Sequence, residues 1–334
     1  MRAQIFVAIA SYADPELPHT LDDCIAMAAS PEDLTFGICA QQDPLGPIDL
    51  SKFQADPRFR FHNRTVMQSR GGPWARNLAQ SLWRGEPYTL QVDAHMKFEP
   101  DWDAKLIDML ESLPAEKPVI TMNAPLFHYD REGMLHRQFE MGVPTTKVSG
   151  WNSSSGWAPW FDFGPANTQQ PGRTRFINGN FAFSRGEWCL EVPQDPEHYY
   201  WGEEISVTVR SYTWGYDLFL PREVVAWHML HTEGPPRRHW EHGEQVIAQR
   251  NAVAFERLRR LIYSEEGYNL GPYGLGPHRS LRDYETYSGF DLKAKRAHPD
   301  VFTGSNPDPV TIHSPEDWAK CISFEEAQAL LRSS

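Results

Sequence analysis

Short, nearly unbroken apolar runs alternate with stretches of helical period over the first 120 residues of the chain. Residues 5–10 read Ile-Phe-Val-Ala-Ile-Ala without a polar side chain, as a parallel strand covered on both faces requires. Asp14, Pro15 and Glu16 then open a helical pattern carried by Leu17, Leu21, Ile25 and Met27. Residues 34–40 are the next buried strand, and 58–62 a short third. After Gly71, Gly72 and Pro73, the residues Ala75, Leu78, Ala79, Leu82 and Trp83 fall at helical spacing until Gly85 ends the run. Residues 88–92 are a further strand, 102–113 a helix with Leu106, Ile107, Leu110 and Leu113 on one face, and 119–122 another strand. This order predicts an α/β fold: a Rossmann-like, mostly parallel central sheet flanked by helices.

The pattern weakens after that. Residues 129–174 are rich in Gly, Pro, Ser and Trp (Trp151, Trp157, Trp160) and predict a long aromatic loop, a lid or an acceptor groove. Residues 175–184 read as a strand that resumes the sheet. Trp201-Gly202-Glu203-Glu204 leads into a helix ending near Trp214, residues 216–220 and 223–227 read as short strands, and 245–263 form a strong amphipathic helix. From Gly267 onward the chain predicts an irregular tail. The expected division is a main domain over 1–265 and a C-terminal extension over 266–334 packed upon it.

Composition narrows the function. Thirty-two basic against 44 acidic side chains leave a net charge of −12, which argues against nucleic acid or an anionic membrane as the main partner. The four cysteines form no CxxC pair or zinc spacing and read as thiols of a reducing compartment, so the expected location is cytoplasmic. The apolar run at the N-terminus is too short for a membrane span. Oligomeric state is not legible.

The most informative chemistry is Asp93-Ala94-His95, directly after the strand at 88–92. Carboxylate and imidazole two residues apart at a strand exit can grip one divalent cation, Mn²⁺ or Mg²⁺. In open α/β sheets ligands bind at the carboxyl ends of the strands. Ala10, Ser11 and Tyr12 end the first strand, Cys39-Ala40-Gln41 the second, and Asp93 and His95 the fourth. A nucleotide held there with a metal is the arrangement of a nucleotide-sugar glycosyltransferase of the GT-A type. No GxGxxG or Walker sequence follows the first strand, which counts against a dinucleotide or P-loop enzyme.

Four segments carry a closer resemblance. Ser69-Arg70-Gly71-Gly72-Pro73-Trp74-Ala75-Arg76, the stretch from Gly85 to Phe98 that contains Asp93-Ala94-His95, Trp102-Asp103, and Tyr273-Gly274-Leu275-Gly276-Pro277-His278-Arg279-Ser280-Leu281-Arg282-Asp283-Tyr284 resemble a family of cytoplasmic polypeptide N-acetylglucosaminyltransferases acting on hydroxyproline. More distantly the chain is similar to the polypeptide GalNAc-transferases, and the resemblance spans residues 4–292. It implies a UDP-sugar donor, most of all UDP-GlcNAc, a polypeptide or glycan acceptor, and transfer with retention by a front-face route that needs no protein nucleophile. It implies that Asp93, His95 and His228 hold the metal. The other reading of His228 is a half-buried strand-end histidine, and His231 and His239 are its rivals. Arg76 is expected to pair with the diphosphate or to orient Asp93, with a plain surface ion pair as the alternative, and Arg70 is a second cation for the donor. Ala10, Ser11 and Tyr12 would line the uridine pocket. Gly179 and Asn180, in Asn178-Gly179-Asn180-Phe181, would meet the sugar. Glu204 and Glu203 are the expected catalytic carboxylates: Glu204 matches a glutamate that binds the donor sugar, Glu203 stands where the family has a small residue, and Trp201 is expected to face the acceptor. Both acids would equally suit a helix N-terminus.

Two other classes compete. Non-haem iron oxygenases use His-x-Asp, the reverse order, on a jelly roll that this pattern does not fit. A catalytically inactive sugar- or peptide-binding module on the same fold would tolerate loss of Asp93, His95 or Glu204, yet all three are present.

Overall fold

The computed structural model describes residues 4–138, 142–151, 159–230, 244–306 and 311–333. Eleven helices are described: α1 (Leu17–Ala26), α2 (Ser51–Gln54), α3 (Gly72–Gln80), α4 (Trp102–Glu111), α5 (Trp188–Glu191), α6 (Glu203–Thr213), α7 (Glu244–Tyr263), α8 (Leu281–Ser288), α9 (Pro299–Thr303), α10 (Pro315–Ala319) and α11 (Phe324–Ser333). The large sheet contains β1 (Ile5–Tyr12), β2 (Leu34–Gln42), β3 (Phe59–Thr65), β4 (Tyr88–Asp93), β6 (Pro118–Thr121), β11 (Phe181–Arg185) and β12 (Asp217–Phe219). Its spatial order is β12-β6-β11-β4-β1-β2-β3. Every adjacent pair is parallel except those of β11, which runs antiparallel between β4 and β6. The expected mostly parallel α/β sheet is therefore present, and its single reversed strand is the one that resumes the sheet after the aromatic segment.

Alternation along β1 sends its side chains to two cores. Ile5, Val7 and Ile9 join Leu17 and Leu21 of α1 and Trp102, Leu106 and Leu110 of α4. Phe6 and Ala8 join Ala75 and Ala79 of α3 on the other face. Burial on both sides is why this strand carries no polar residue before Ser11.

A second sheet, in the order β5-β13-β7-β8, is built from β5 (Met96–Phe98), β7 (Leu126–Tyr129), β8 (Leu135–Arg137) and β13 (Ala226–Met229). Here β13 pairs antiparallel with β5, placing His228 opposite Met96. Distant segments thereby meet just past the end of β4.

Two expectations need correction. The segment 129–174 is not a long loop: its described part contains β8 and an antiparallel hairpin of β9 (Pro144–Trp151) and β10 (Pro159–Ala166). Register shifts at Trp160/Phe161 and between Phe163 and Ala166 break the strict two-residue alternation, so the strands left no clean pattern in the sequence. Trp157 lies outside the described residues. The tail is not irregular either. It holds α8 to α11 and a three-stranded sheet of β14 (Phe290–Asp291), β15 (Arg296–Ala297) and β16 (Ile322–Ser323). Its helix α8 begins with a Ser280/Asp283 capping box and ends on Gly289 in the left-handed region. Its strands of two residues and its helices α9 and α10 of five are too short for periodicity to show.

The tail is joined to the main chain by a shared core. Val148 of β9, Phe176, Ile205 and Val209 of α6, Leu258 and Leu261 of α7, Tyr284, Tyr287, Phe290 and Phe302 form one apolar cluster. Arg175 is buried within the same junction and donates to the Ser288 carbonyl (2.7 Å) and the Thr311 hydroxyl (3.0 Å). Among the described residues, no helix is long and apolar enough to cross a membrane.

Candidate active site

The site forms at the carboxyl edge of the large sheet. Asp93 is the last residue of β4 and lies in register with Ala10 of β1. Beyond it the Ala94–His95 turn is pinned to α1: the Thr20 hydroxyl donates to the Ala94 carbonyl and accepts from the Met96 N–H, both at 2.9 Å. The small sheet then brings His228 alongside. The Nε2 atoms of His95 and His228 face each other at 2.9 Å, and Asp93 Oδ2 is 3.4 Å from His228 Nε2. One ligand atom from each of Asp93, His95 and His228 lies within 4.8 Å of the others.

This donor set suits a first-row divalent ion. Two imidazole nitrogens pointing at each other need a proton or a cation between them. On the far side of the ring, His95 Nδ1 is 2.6 Å from Asp14 Oδ2, the carboxylate–histidine arrangement that leaves Nε2 free to ligate. Burial opposes protonation of His95, but the Asp14 contact and the charge of Asp93 outweigh it and raise its pKa. Burial lowers that of His228. Burial alone would raise Asp93; Arg76 and the two imidazoles instead hold it far below the usual carboxylate range. The cluster is an ionised carboxylate flanked by nitrogen donors.

Asp14 is the residue that sequence reasoning missed as part of the site. It lies 81 positions from His95, and only the packing of α1 against the β4–β5 turn brings them together. The Asp14 turn is itself held by the Glu16 N–H (2.9 Å), and Glu16 pairs with Lys97 (3.3 Å) and accepts from the Tyr129 hydroxyl (3.0 Å).

Arg76, one turn into α3, adopts one of the two expected roles and adds another. Its Nη2 donates to Asp93 Oδ1 (2.7 Å) while its Nη1 pairs with Glu203. Asp93 thus uses one oxygen for arginine and turns the other to the histidine side. The residue that caps the start of α3 is Gly71, whose φ of +108° favours glycine. A Cβ there would sit 2.1 Å from the Tyr199 carbonyl oxygen, so the close approach of this turn to the 199–202 segment depends on glycine.

The acidic pair at the start of α6 divides its work. Glu203 is buried against Arg76. Glu204 is half-buried, accepts from the Gly179 N–H (3.0 Å), and has its pKa raised chiefly by burial. Gly179 is further fixed by Gln91 Nε2, which donates to its carbonyl (3.0 Å). A Cβ on Gly179 would lie 2.8 Å from Arg76 Nη1. Next to it, the Asn180 amide donates to Asn123 Oδ1 (3.1 Å), while its own Oδ1 is buried with no partner among the described residues. An orphaned acceptor of this kind marks a place where a ligand hydroxyl would be welcome.

These groups line a cavity of about 310 Å³ that also includes Trp160, Phe161, Tyr200, Trp201 and His228. Trp160 of β10 packs on Trp201 with ring centroids 4.5 Å apart, and Tyr200 meets Trp201 edge-on at 4.8 Å. Trp160 and Tyr200 remain 45% and 41% exposed, so the hairpin and the segment before α6 make an aromatic wall opposite the carboxylates. Ala10, Ser11 and Tyr12 stand on the same sheet edge in register with Cys39, Ala40 and Gln41; Ser11 is buried and its carbonyl accepts from Gln41 Nε2 (3.0 Å). Arg70 is placed elsewhere: it is exposed and lines a separate depression with Tyr199 and Arg250. His231 and His239 lie outside the described residues.

A mostly parallel sheet with an acid–imidazole cluster at its carboxyl edge and an aromatic-walled cavity beside it is the setting in which an open α/β sheet binds its ligand, and comparison with known proteins shows it to be the GT-A fold of a glycosyltransferase. The chain belongs to the family described as Glycosyltransferase (GlcNAc), whose model matches residues 4–58 and 50–294. Among solved structures it is similar to GalNAc-T7 crystallised with UDP, GalNAc and Mn²⁺, at 13% identity and a TM-score of 0.56, over 84% of this chain and 54% of that one. The chain thus spans about half the length of that protein. A weaker likeness, TM-score 0.41 at 13% identity, is to residues 1–349 of S. aureus TarS in complex with UDP-GlcNAc, over 80% of this chain and 76% of that one. No curated protein sequence matches the chain.

Proposed function

We propose that the protein moves N-acetylglucosamine from UDP-GlcNAc to a hydroxyl of a polypeptide or glycan, with retention, using Mn²⁺ or Mg²⁺ held by Asp93, His95 and His228. The observation that carries this reading is the convergence of those three side chains at the edge of a cavity that Asp93 and His228 line together with Arg76 and Glu204. When bound, the cation would supply positive charge to the diphosphate as it leaves. Ala10, Ser11 and Tyr12 bind the uridine along the end of β1. Arg76, neutralised by Glu203 and Asp93, keeps the Asp93 carboxylate ionised and oriented. Glu204 and the Asn180 amide oxygen take hydrogen bonds from sugar hydroxyls, and the Gly179 backbone allows the ring to approach closely. Trp201, with Trp160 behind it, packs against the acceptor and excludes water. The acceptor proton passes to the departing phosphate oxygen, so none of these residues acts as a nucleophile. Hydroxyproline is the acceptor the sequence resemblance favours.

The test is direct. The protein is incubated with Mn²⁺ and a panel of UDP-sugars, and slow donor hydrolysis to UDP is followed beside Asp93→Ala. Turnover confined to UDP-GlcNAc and abolished by the substitution is expected. No turnover and no UDP-dependent thermal shift with any donor would leave the inactive binding module as the better description.

A further inference from the structure

We infer that Arg70 and Arg250 form a second, oxyanion-binding site that takes a phosphate- or sulfate-like group beside the active cavity. The two arginines come from distant parts of the chain, the turn before α3 and the second turn of α7, and line one depression of about 240 Å³ with Tyr199 and Gln249. In a protein with 44 acidic residues, neither guanidinium is within 4 Å of a carboxylate among the described residues, although Glu197 stands on the rim. Other arginines nearby are engaged: Arg257 binds Asp195 at 2.6 Å, and Arg76 binds Asp93 and Glu203. Arg250 is held in place by the Tyr199 ring, its guanidinium carbon 5.5 Å from the centroid, and its Nη1 is buried with no hydrogen-bond partner among the described residues. Two planar forks around one small depression match the several oxygens of a tetrahedral anion.

The depression is separate from the donor cavity but shares a wall with it. Tyr199 lines the first, while Tyr200 and Trp201 line the second. The backbone at Gly71, next to Arg70, passes close to the Tyr199 carbonyl on that wall. A group bound there lies on the aromatic side of the site, where the transferase reading puts the acceptor. That reading therefore assigns the site to an anionic substituent of the acceptor, although the site itself does not depend on it.

Inorganic phosphate is the probe, with chloride at equal ionic strength as control and no divalent cation present. Millimolar phosphate should raise the thermal midpoint of the wild-type protein and of Asp93→Ala to the same extent. It should lose most of that effect in Arg70→Ala, which is exposed and should fold normally, and all of it in Arg70→Ala/Arg250→Ala. Line broadening of the ³¹P resonance at ambient temperature provides a readout independent of unfolding. A phosphate effect that survives in Arg70→Ala, or one that vanishes in Asp93→Ala, would overturn the assignment. If instead UDP-sugar hydrolysis is absent while phosphate binding follows Arg70 and Arg250, the transferase reading fails and this site stands.

Discussion

The two walls of the cavity are made in opposite ways. The carboxylate wall is founded on one sequence-local piece, a buried strand with Asp93 at its end and His95 two residues on, to which packing adds His228, Asp14 and Arg76. The aromatic wall depends on residues that are far apart in the chain. Its hairpin and α6 share a core that runs from Val148 to Ala327, and the tail helices close that core. One wall sets the chemistry on a rigid sheet edge, while the other is a surface whose shape depends on everything packed behind it.

Removing the tail gives the largest expected effect. A chain ending at residue 265 would expose Phe176, Ile205, Val209 and Tyr212, each worth about 1.5–3 kcal/mol when fully buried. Their sum rivals the whole stability of a domain, about 5–15 kcal/mol. The truncated chain should therefore lose its cooperative melt. A sharp melt with unchanged UDP release would show that the two walls are independent. Next comes Asp93→Ala, or removal of divalent cations by a chelator. Donor turnover should fall on the order of 10³-fold, about 4 kcal/mol.

A pH test probes the aromatic wall from behind. His198, three residues before Trp201, is buried, and burial is the main reason its pKa falls to about 4. A histidine that is neutral in the fold but protonates near 6.5 when unfolded stabilises fully above pH 6.5. That contribution is lost as pH drops from 6.5 towards 4, by about 3 kcal/mol. Unfolding free energy measured across this window should fall in the wild type and change much less in His198→Phe. Equal slopes in the two proteins would remove His198 from the account. The smallest effect is expected for Trp201→Ala. It should raise the acceptor KM about tenfold, or 1–2 kcal/mol of lost aromatic contact, and leave acceptor-free UDP-GlcNAc hydrolysis intact. If hydrolysis falls in parallel, the division of labour between the walls is wrong.

This contrast also explains what could be read in advance. The apolar runs of β1, β2 and β4 disclosed the sheet, because burial on both faces leaves no room for polar residues. Asp93-Ala94-His95 was legible because two donors on one strand exit need no knowledge of the rest of the fold. The pairing of His95 with Asp14, and of Arg76 with Glu203 across 127 positions, was invisible because it depends on packing angles rather than spacing. The β9–β10 hairpin was hidden by its irregular register, and the tail by elements too short to establish a period. Arg70, expected from the family resemblance to be a second cation for the donor, faces a different depression. A side chain's direction is set by the turn, not by its neighbours in sequence.

His228 belongs to the small sheet, whereas Asp93 ends a strand of the large one, so an ion bridging them would act as a clasp between two independently hydrogen-bonded layers. Anything that binds only the folded arrangement stabilises it by mass action, by about 2.7 kcal/mol at a hundred times its dissociation constant. Cellular supply of the ion would then govern the lifetime of the protein as well as its turnover, and starvation for that ion would thin the enzyme population through proteolysis.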